Sequence, residues 1–191
     1  MTRTDIINLL IAQHGYRTYL EIGVRNPTDN FRLVKCAEKT GVDPALGTSS
    51  GVNWRILRRT SAEHARRNNN RYDIIFIDGD HRYQGATSDL ATWPDRCSGR
   101  VVVHDCLPAS EGSVGEVKPD NGYAWNGNVW RAWADFRARA LCETWCLPAD
   151  HGCGVIDCAK QIALPAAPAF PSDWTIREYL ADPERWAGVR R

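Results

Sequence analysis

Five residues at the ends of two apolar words could do chemistry together. Asp78, Asp80 and His81 close the stretch YDIIFIDGDH (72–81), and His104 and Asp105 close VVVHD (101–105). Two carboxylates, with water and substrate oxygens, can hold Mg²⁺, a hard ion that keeps an octahedral shell. Two histidines beside them would suit a transition metal instead. An imidazole with an ordinary pKa of about 6.5 can take a proton from a hydroxyl near neutral pH. A cation beside it would lower the pKa of that hydroxyl and orient it. Asp78, His104 and Asp105 are therefore candidate cation ligands, and His81 is the candidate base. The plainer alternative is that Asp78 and Asp105 cap the next turns and His81 bonds its own loop. Two strands ending alike weigh against it.

These residues need strands to bring them together. Residues 74–77 and 101–103 show no polar alternation, so each reads as a strand buried on both faces, the habit of parallel sheets. Neighbouring parallel strands lie ~4.8 Å apart, so equivalent ends can share one ion. The carboxyl ends of such strands are where open α/β sheets place ligands.

Upstream, RTYLEIG (17–23) reads as the first strand. Gly23, directly after it, lets a ligand approach the backbone. The GxGxxG spacing that cradles a pyrophosphate is absent, which argues against a nicotinamide-dependent oxidoreductase. S-adenosylmethionine has no phosphates to cradle, and its ammonium wants a carboxylate such as Glu21. A tight turn with a surface Glu is the local alternative. Asp43 follows Glu21 by about 20 residues at the end of a second strand, the offset of ribose-binding acids in nucleotide folds. Capping the turn beside Pro44 is the alternative there. Asp78, Gly79 and Asp80 would face the same cofactor.

The remaining elements follow from caps and periodicity. Thr4 is expected to cap a helix over 5–14, with Gly15 as its stop. Pro27 predicts a helix over 28–38, and 47–51 reads as loop. Residues 54–57 suit a third strand. Thr60 and Glu63 have capping-box spacing for a helix to residue 67. Helices over 84–93, 126–140 and 174–180 and a closing hairpin (141–147, 154–159) complete the pattern. Trp130 and Trp133 read as core, whereas Trp125-Asn126 could line an acceptor pocket. Residues 106–123 form a long aperiodic loop, the kind that shapes binding sites. Strand–helix–strand repetition means a doubly wound parallel sheet.

Composition sets outer limits. The chain has 191 residues and a net charge of +1. That suits one domain over 1–191, with a core of about 16–160 and an extension over 161–191. No global pull toward nucleic acid or a membrane is evident. No charged-then-apolar leader opens the chain, so a cytoplasmic location is expected. Seven cysteines without a leader read as free thiols rather than disulfides. The spacing of Cys142, Cys146, Cys153 and Cys158 fits a zinc ribbon poorly. Arg58, Arg59, Arg66, Arg67 and Arg71 read as a solvated face, and eight tryptophans leave room for a homo-oligomer interface.

Several words carry a resemblance: YLEIGV-x-NP, GVDP, TS-x-E, DIIFIDGDHRYQG and VVVHDCLP, with WNGNVWRA and DHGCGVI further on. Across most of 16–158 the chain resembles class I S-adenosylmethionine-dependent methyltransferases. Within them it is similar to a small bacterial group associated with polysaccharide and natural-product loci. The resemblance implies a mostly parallel seven-stranded sheet with a C-terminal antiparallel hairpin and helices on both faces. It implies that Glu21 and Gly23 meet the methionine part of the cofactor and Asp43 the ribose. It also implies Mg²⁺ held at Asp78 and at the His104-Asp105 pair, with His81 as base and a hydroxyl of a small molecule or glycan as acceptor. His104 departs from the metal-dependent relatives, which carry an acid there. Metal-independent transfer is the companion expectation.

Overall fold

The computed structural model describes residues 1–118, 120, 124–165 and 167–190. Among them, eight strands form one sheet in the order β3-β4-β2-β1-β5-β6-β8-β7. They are β1 (Thr18–Ile22), β2 (Glu38–Val42), β3 (Ser49–Ser50), β4 (Trp54–Leu57), β5 (Tyr72–Ile77), β6 (Cys97–Val103), β7 (Cys142–Leu147) and β8 (Cys153–Gln161). Strands β4, β2, β1, β5 and β6 are parallel neighbours; β8 runs antiparallel to β6 and β7 to β8. The expected mostly parallel sheet with a closing hairpin is therefore present. It has one strand more than expected, because β3, read as loop, pairs antiparallel to β4.

The unbroken apolar runs follow from burial on both sides. Ile75, Ile77, Val101 and Val103 point into one apolar cluster, and Ile74, Phe76 and Val102 into the other. Each such side chain contributes about 1.5–3 kcal/mol when fully buried. Helix α1 (Arg3–His14) covers the second cluster through Ile6, Ile7, Leu10 and Ile11. Helices α2 (Ser61–Arg67), α3 (Tyr83–Thr92) and α4 (Val129–Arg137) cover the first. Trp130 and Trp133 are core there, at 4% and 0% exposure. The C-terminal helices α5 (Ile176–Ala181) and α6 (Pro183–Trp186) join this cluster through Ile176, Tyr179 and Trp186.

Three local expectations change. Helix α1 is capped by Thr2, whose hydroxyl accepts from the Asp5 amide while the Asp5 carboxylate accepts from the Thr2 amide. Thr4 instead donates to Asn30 Oδ1 at 2.8 Å. Residues 28–38 form no helix; turns run over 27–33. Asn26 and Asp29 bond each other at 2.7 Å, and the Lys39 ammonium takes the carbonyls of Phe31 and Val34 at 2.8 and 3.0 Å. The Lys35 and Glu38 amides, which a helix would aim at those carbonyls, go instead to Asn8 Oδ1 and the Arg17 carbonyl at 2.7 and 2.9 Å, so the chain turns instead of winding. Helix α4 begins at Val129 rather than 126 because residues 126–128 are docked on the site described below.

The seven cysteines are free thiols. No helix among the described residues is long and apolar enough to cross a membrane. Within the long loop, residues 119 and 121–123 lie outside the described residues; the rest contains a short 3-10 turn (Glu111–Ser113) and a bridge between Val114 and Gly127.

Candidate active site

The parallel ladder continues one residue past the strands. The amides of Asp43, Gly23, Asp78 and His104 bond the carbonyls of Leu57, Val42, Ile22 and Ile77 at 2.9–3.2 Å. This row places four of the expected site residues side by side at the carboxyl ends of β2, β1, β5 and β6. A cleft of about 870 Å³ opens above them, a size suited to a small-molecule ligand.

One half of the cleft is shaped by backbone. Gly23 has φ +84°, and a Cβ there would lie 2.1 Å from the Asp78 carbonyl oxygen. Only glycine allows β1 and β5 to end so close together. Glu21 is buried, accepting from Tyr19 Oη at 2.5 Å and from Asn30 Nδ2 at 2.9 Å. Burial pushes its carboxyl up to about 8, against the pull of those two bonds. Asp43 accepts the Arg25 amide on Oδ2 at 2.8 Å, and those of Ala45 and Leu46 on Oδ1 at 2.8 and 3.2 Å. It caps its turn and still keeps a free lone pair on Oδ2. Gly79 lines the cleft. Asp80 also borders it, but its carboxylate is bound in two-pronged fashion by Arg82 at 2.7 and 2.9 Å.

The other half is a dense cluster of charged side chains. Asp78 Oδ1 lies 3.2 Å from His81 Nε2 and 3.4 Å from His104 Nδ1. Asp105 Oδ1 lies 3.1 Å from His104 Nδ1, and its Oδ2 lies 3.3 Å from His81 Nδ1. Burial alone would raise the Asp78 carboxyl, but the bonds from His104 and His81 hold it well below the usual range. Burial would lower both histidines; their carboxylate partners win. Asp105, Asp150 and Asp78 push His104 up to about 12, and Asp78 and Asp105 raise His81. Asp105 has φ +62°, an uncommon backbone for a non-glycine residue. Asn126 Nδ2, donating to its Oδ1 at 2.5 Å, helps hold it there.

His81 is fixed from above. Its Nδ1 donates to the Trp125 carbonyl at 2.9 Å, and the two rings stack with centroids 5.2 Å apart. The Asn128 amide donates to the His81 carbonyl at 2.8 Å. Gly127, at φ +63°, has no room for a Cβ beside that carbonyl. The Trp125–Asn128 segment thus clamps the imidazole and leaves Nε2 facing Asp78 and the cleft.

The sequence-predicted residues Glu21, Gly23, Asp43, Asp78, Gly79, Asp80, His81, His104 and Asp105 all line this one cleft or flank it. Sequence reasoning missed Asn30, Asp89, Asp150 and Arg3. Asn30, which links Tyr19 to Glu21, sits among turn residues and gives no signal. Asp89 is buried, accepts from the Ser61 hydroxyl, and is pushed up to about 6 by burial; a lone acid on the core face of α3 was its trace. Asp150 bonds the Arg3 amide at 2.9 Å and lies 3.5 Å from His104 Nε2. Arg3 reaches Asp78 Oδ2 at 3.2 Å. A cation in the first turn of a helix opposes the macrodipole, and that was the readable clue.

Residues 13–106 match a family model described as a methyltransferase domain. Those residues form a methyltransferase domain of the class I S-adenosylmethionine-dependent type. The fold of this methyltransferase is shared with solved structures of low identity. A caffeoyl-CoA O-methyltransferase candidate from Staphylococcus aureus aligns with TM-score 0.60 and 19% identity, over 81% of this chain and 82% of that one. An O-methyltransferase from Bacillus cereus, solved with S-adenosylhomocysteine (SAH), aligns with TM-score 0.57 and 13% identity over 82% of each. MycE of the mycinamycin pathway, solved with Mg, SAH and mycinamycin VI, gives TM-score 0.52 and 15% identity, over 83% of this chain and 48% of that one. No curated protein sequence matches the chain.

Proposed function

We propose that the enzyme methylates a hydroxyl of a sugar or small natural product in the cytoplasm, with His81 as general base. One observation carries this reading. Trp125 clamps the His81 ring by Nδ1, so Nε2 is aimed into the cleft 3.2 Å from Asp78 on the row of strand ends. In the resting site both ring nitrogens face oxygens that only accept, so both carry protons. Loss of the Nε2 proton then leaves a lone pair where an acceptor hydroxyl would enter. The methyl group leaves sulfur as the hydroxyl oxygen attacks in line, and the hydroxyl proton passes to Nε2. Most of the acceleration comes from holding oxygen and methyl in that line.

In this reading Glu21 and Gly23 receive the methionine part of S-adenosylmethionine. Asp43 takes the ribose through its free lone pair, and Gly79 lies under the cofactor. Asp80 contributes by shaping the turn with Arg82. The ligand atoms of Asp78, His104 and Asp105 lie within 4.8 Å of one another, so the donor set has the span a divalent cation needs once His104 gives up a ring proton. Those three residues would hold Mg²⁺, which when bound acidifies and orients the acceptor hydroxyl. A metal-independent form of the same reaction is favoured by one contact, the Arg3 guanidinium on Asp78.

The test is transfer of labelled methyl from S-adenosylmethionine to a panel of hydroxylated sugars and phenols, with and without EDTA. Transfer to an oxygen that vanishes in His81→Ala, while SAH still binds, is the expected result. Transfer only to nitrogen or carbon acceptors would sink the reading. Activity that survives EDTA selects the metal-independent form.

A further inference from the structure

We propose that Arg3 is the resident cation of the Asp78–His104–Asp105 cluster, and that a divalent ion enters only by displacing it. The inference rests on those three residues being the cation's seat. Arg3 Nη1 lies 3.2 Å from Asp78 Oδ2. It also lies 3.0 and 3.3 Å from the two ring nitrogens of His104. Closeness to both nitrogens puts the guanidinium against the ring rather than in line with either ring nitrogen. The oxygen it takes, Asp78 Oδ2, is the one left over by the histidines, which face Oδ1. The carboxylate that a metal would need most is therefore bonded on both oxygens.

The placement is built into the fold. The Arg3 amide donates to Asp150 Oδ2 at 2.9 Å, and Nε lies 3.6 Å from the same oxygen. Asp150 is held in the β7–β8 turn, where it and His151 both adopt positive φ. The neighbouring residues are tied down too. Thr2 and Asp5 cap each other, and Thr4 bonds Asn30, which bonds Glu21. Most of the Arg3 side chain is covered, with 23% exposed. A cation at a helix start works against the macrodipole, so this arginine is there for its partners and not for its helix. A guanidinium keeps its charge at any working pH and is less tightly hydrated than an ammonium, which suits a partly buried seat among carboxylates. A second cation at the same oxygens would be repelled at contact distance. Arg3 and the ion therefore exclude each other.

Mn²⁺ binding, read by electron paramagnetic resonance on the full chain with SAH present, tests this without any methyl transfer. Arg3→Gln should bind Mn²⁺ about ten-fold or more tightly than wild type, since one unit of opposing charge is gone. Arg3→Lys should stay close to wild type. If Arg3→Gln is unfolded by circular dichroism, Arg3→Met is the neutral variant to use. Affinity that is unchanged in the neutral variant, or that rises equally in Arg3→Lys, overturns the proposal; so does an absence of Mn²⁺ binding in both proteins. SAH titration on the same samples reports separately on the cofactor cleft, so the failure of one reading is not confused with the failure of the other.

Discussion

The two halves of the cleft are built by different physics. The half assigned to the cofactor is made of backbone: a glycine that lets two strand ends touch, an acid whose oxygens cap their own turn, and the α2 start capped by Thr60 and Glu63. Among its buried acids, Glu21 is a carboxyl that burial tends to neutralise. The half assigned to the acceptor is made of side chains whose charges hold one another: Asp78, Asp105 and Asp150 against His81, His104 and Arg3. A half made of turns tolerates changes of charge and fails on changes of shape. A half made of ion pairs does the reverse, because removing one member leaves the others buried without partners.

The sharpest way to break this contrast is at His81. Replacing it by Ala should lower methyl transfer by about 10²–10⁴-fold, the range of a positioned base, while SAH affinity stays near wild type. Equal loss of both in a titration would make the two halves one structural unit. On the cofactor side, Gly23→Ala forces a Cβ against the Asp78 carbonyl and a left-handed backbone. Strain and overpacking together should cost about 2–5 kcal/mol, seen as a lower melting temperature and lost SAH binding. A stable variant that still binds SAH would show that the strands can separate there.

Proton traffic separates the halves more finely. Glu21, raised to about 8, is mostly protonated at pH 7. A cationic ammonium would ionise it, so SAH binding at pH 7 should release about one proton, measurable by calorimetry in buffers of different ionisation enthalpy. The sign for stability follows: the folded apo protein binds the extra proton, so its stability falls as pH rises from the ordinary carboxyl range through about 8. His81 is raised, and as the proposed base it must be neutral to act. Methyl transfer should therefore climb with pH through a midpoint above the ordinary imidazole value, read from the pH profile of kcat/KM. A midpoint below it would place the working proton elsewhere. The smallest effect is expected at Thr60→Ala, which removes the α2 cap; about 1 kcal/mol of stability should go, with acceptor chemistry unchanged in the same assays.

How much was legible differs between the halves for the same reason. Gly23, Asp43, Gly79 and the Thr60–Glu63 box are local features, each a turn or cap set by residues a few positions apart. The helix expected over 28–38 failed because distant groups take the amides that would continue it, Asn8 that of Lys35 and the Arg17 carbonyl that of Glu38. On the acceptor side the partners are far apart in sequence. Arg3 meets Asp78 across 75 residues and Asp150 across 147; His81 meets Trp125 across 44. No periodicity or spacing joins such pairs.

By itself the sequence determined the doubly wound sheet, through runs of Ile and Val buried on both faces, and the row of Gly23, Asp43, Asp78 and His104 at its carboxyl edge. It also determined the chemistry available there, since residue types are readable without coordinates. Only the tertiary structure decided who faces whom. It clamped His81 under Trp125 and brought Arg3 from the first helix onto Asp78 after β5 and Asp150 in the β7–β8 turn. The strands themselves and the local caps follow from short-range sterics and burial. Charge pairing follows from packing of distant segments, which exists only once the chain has folded.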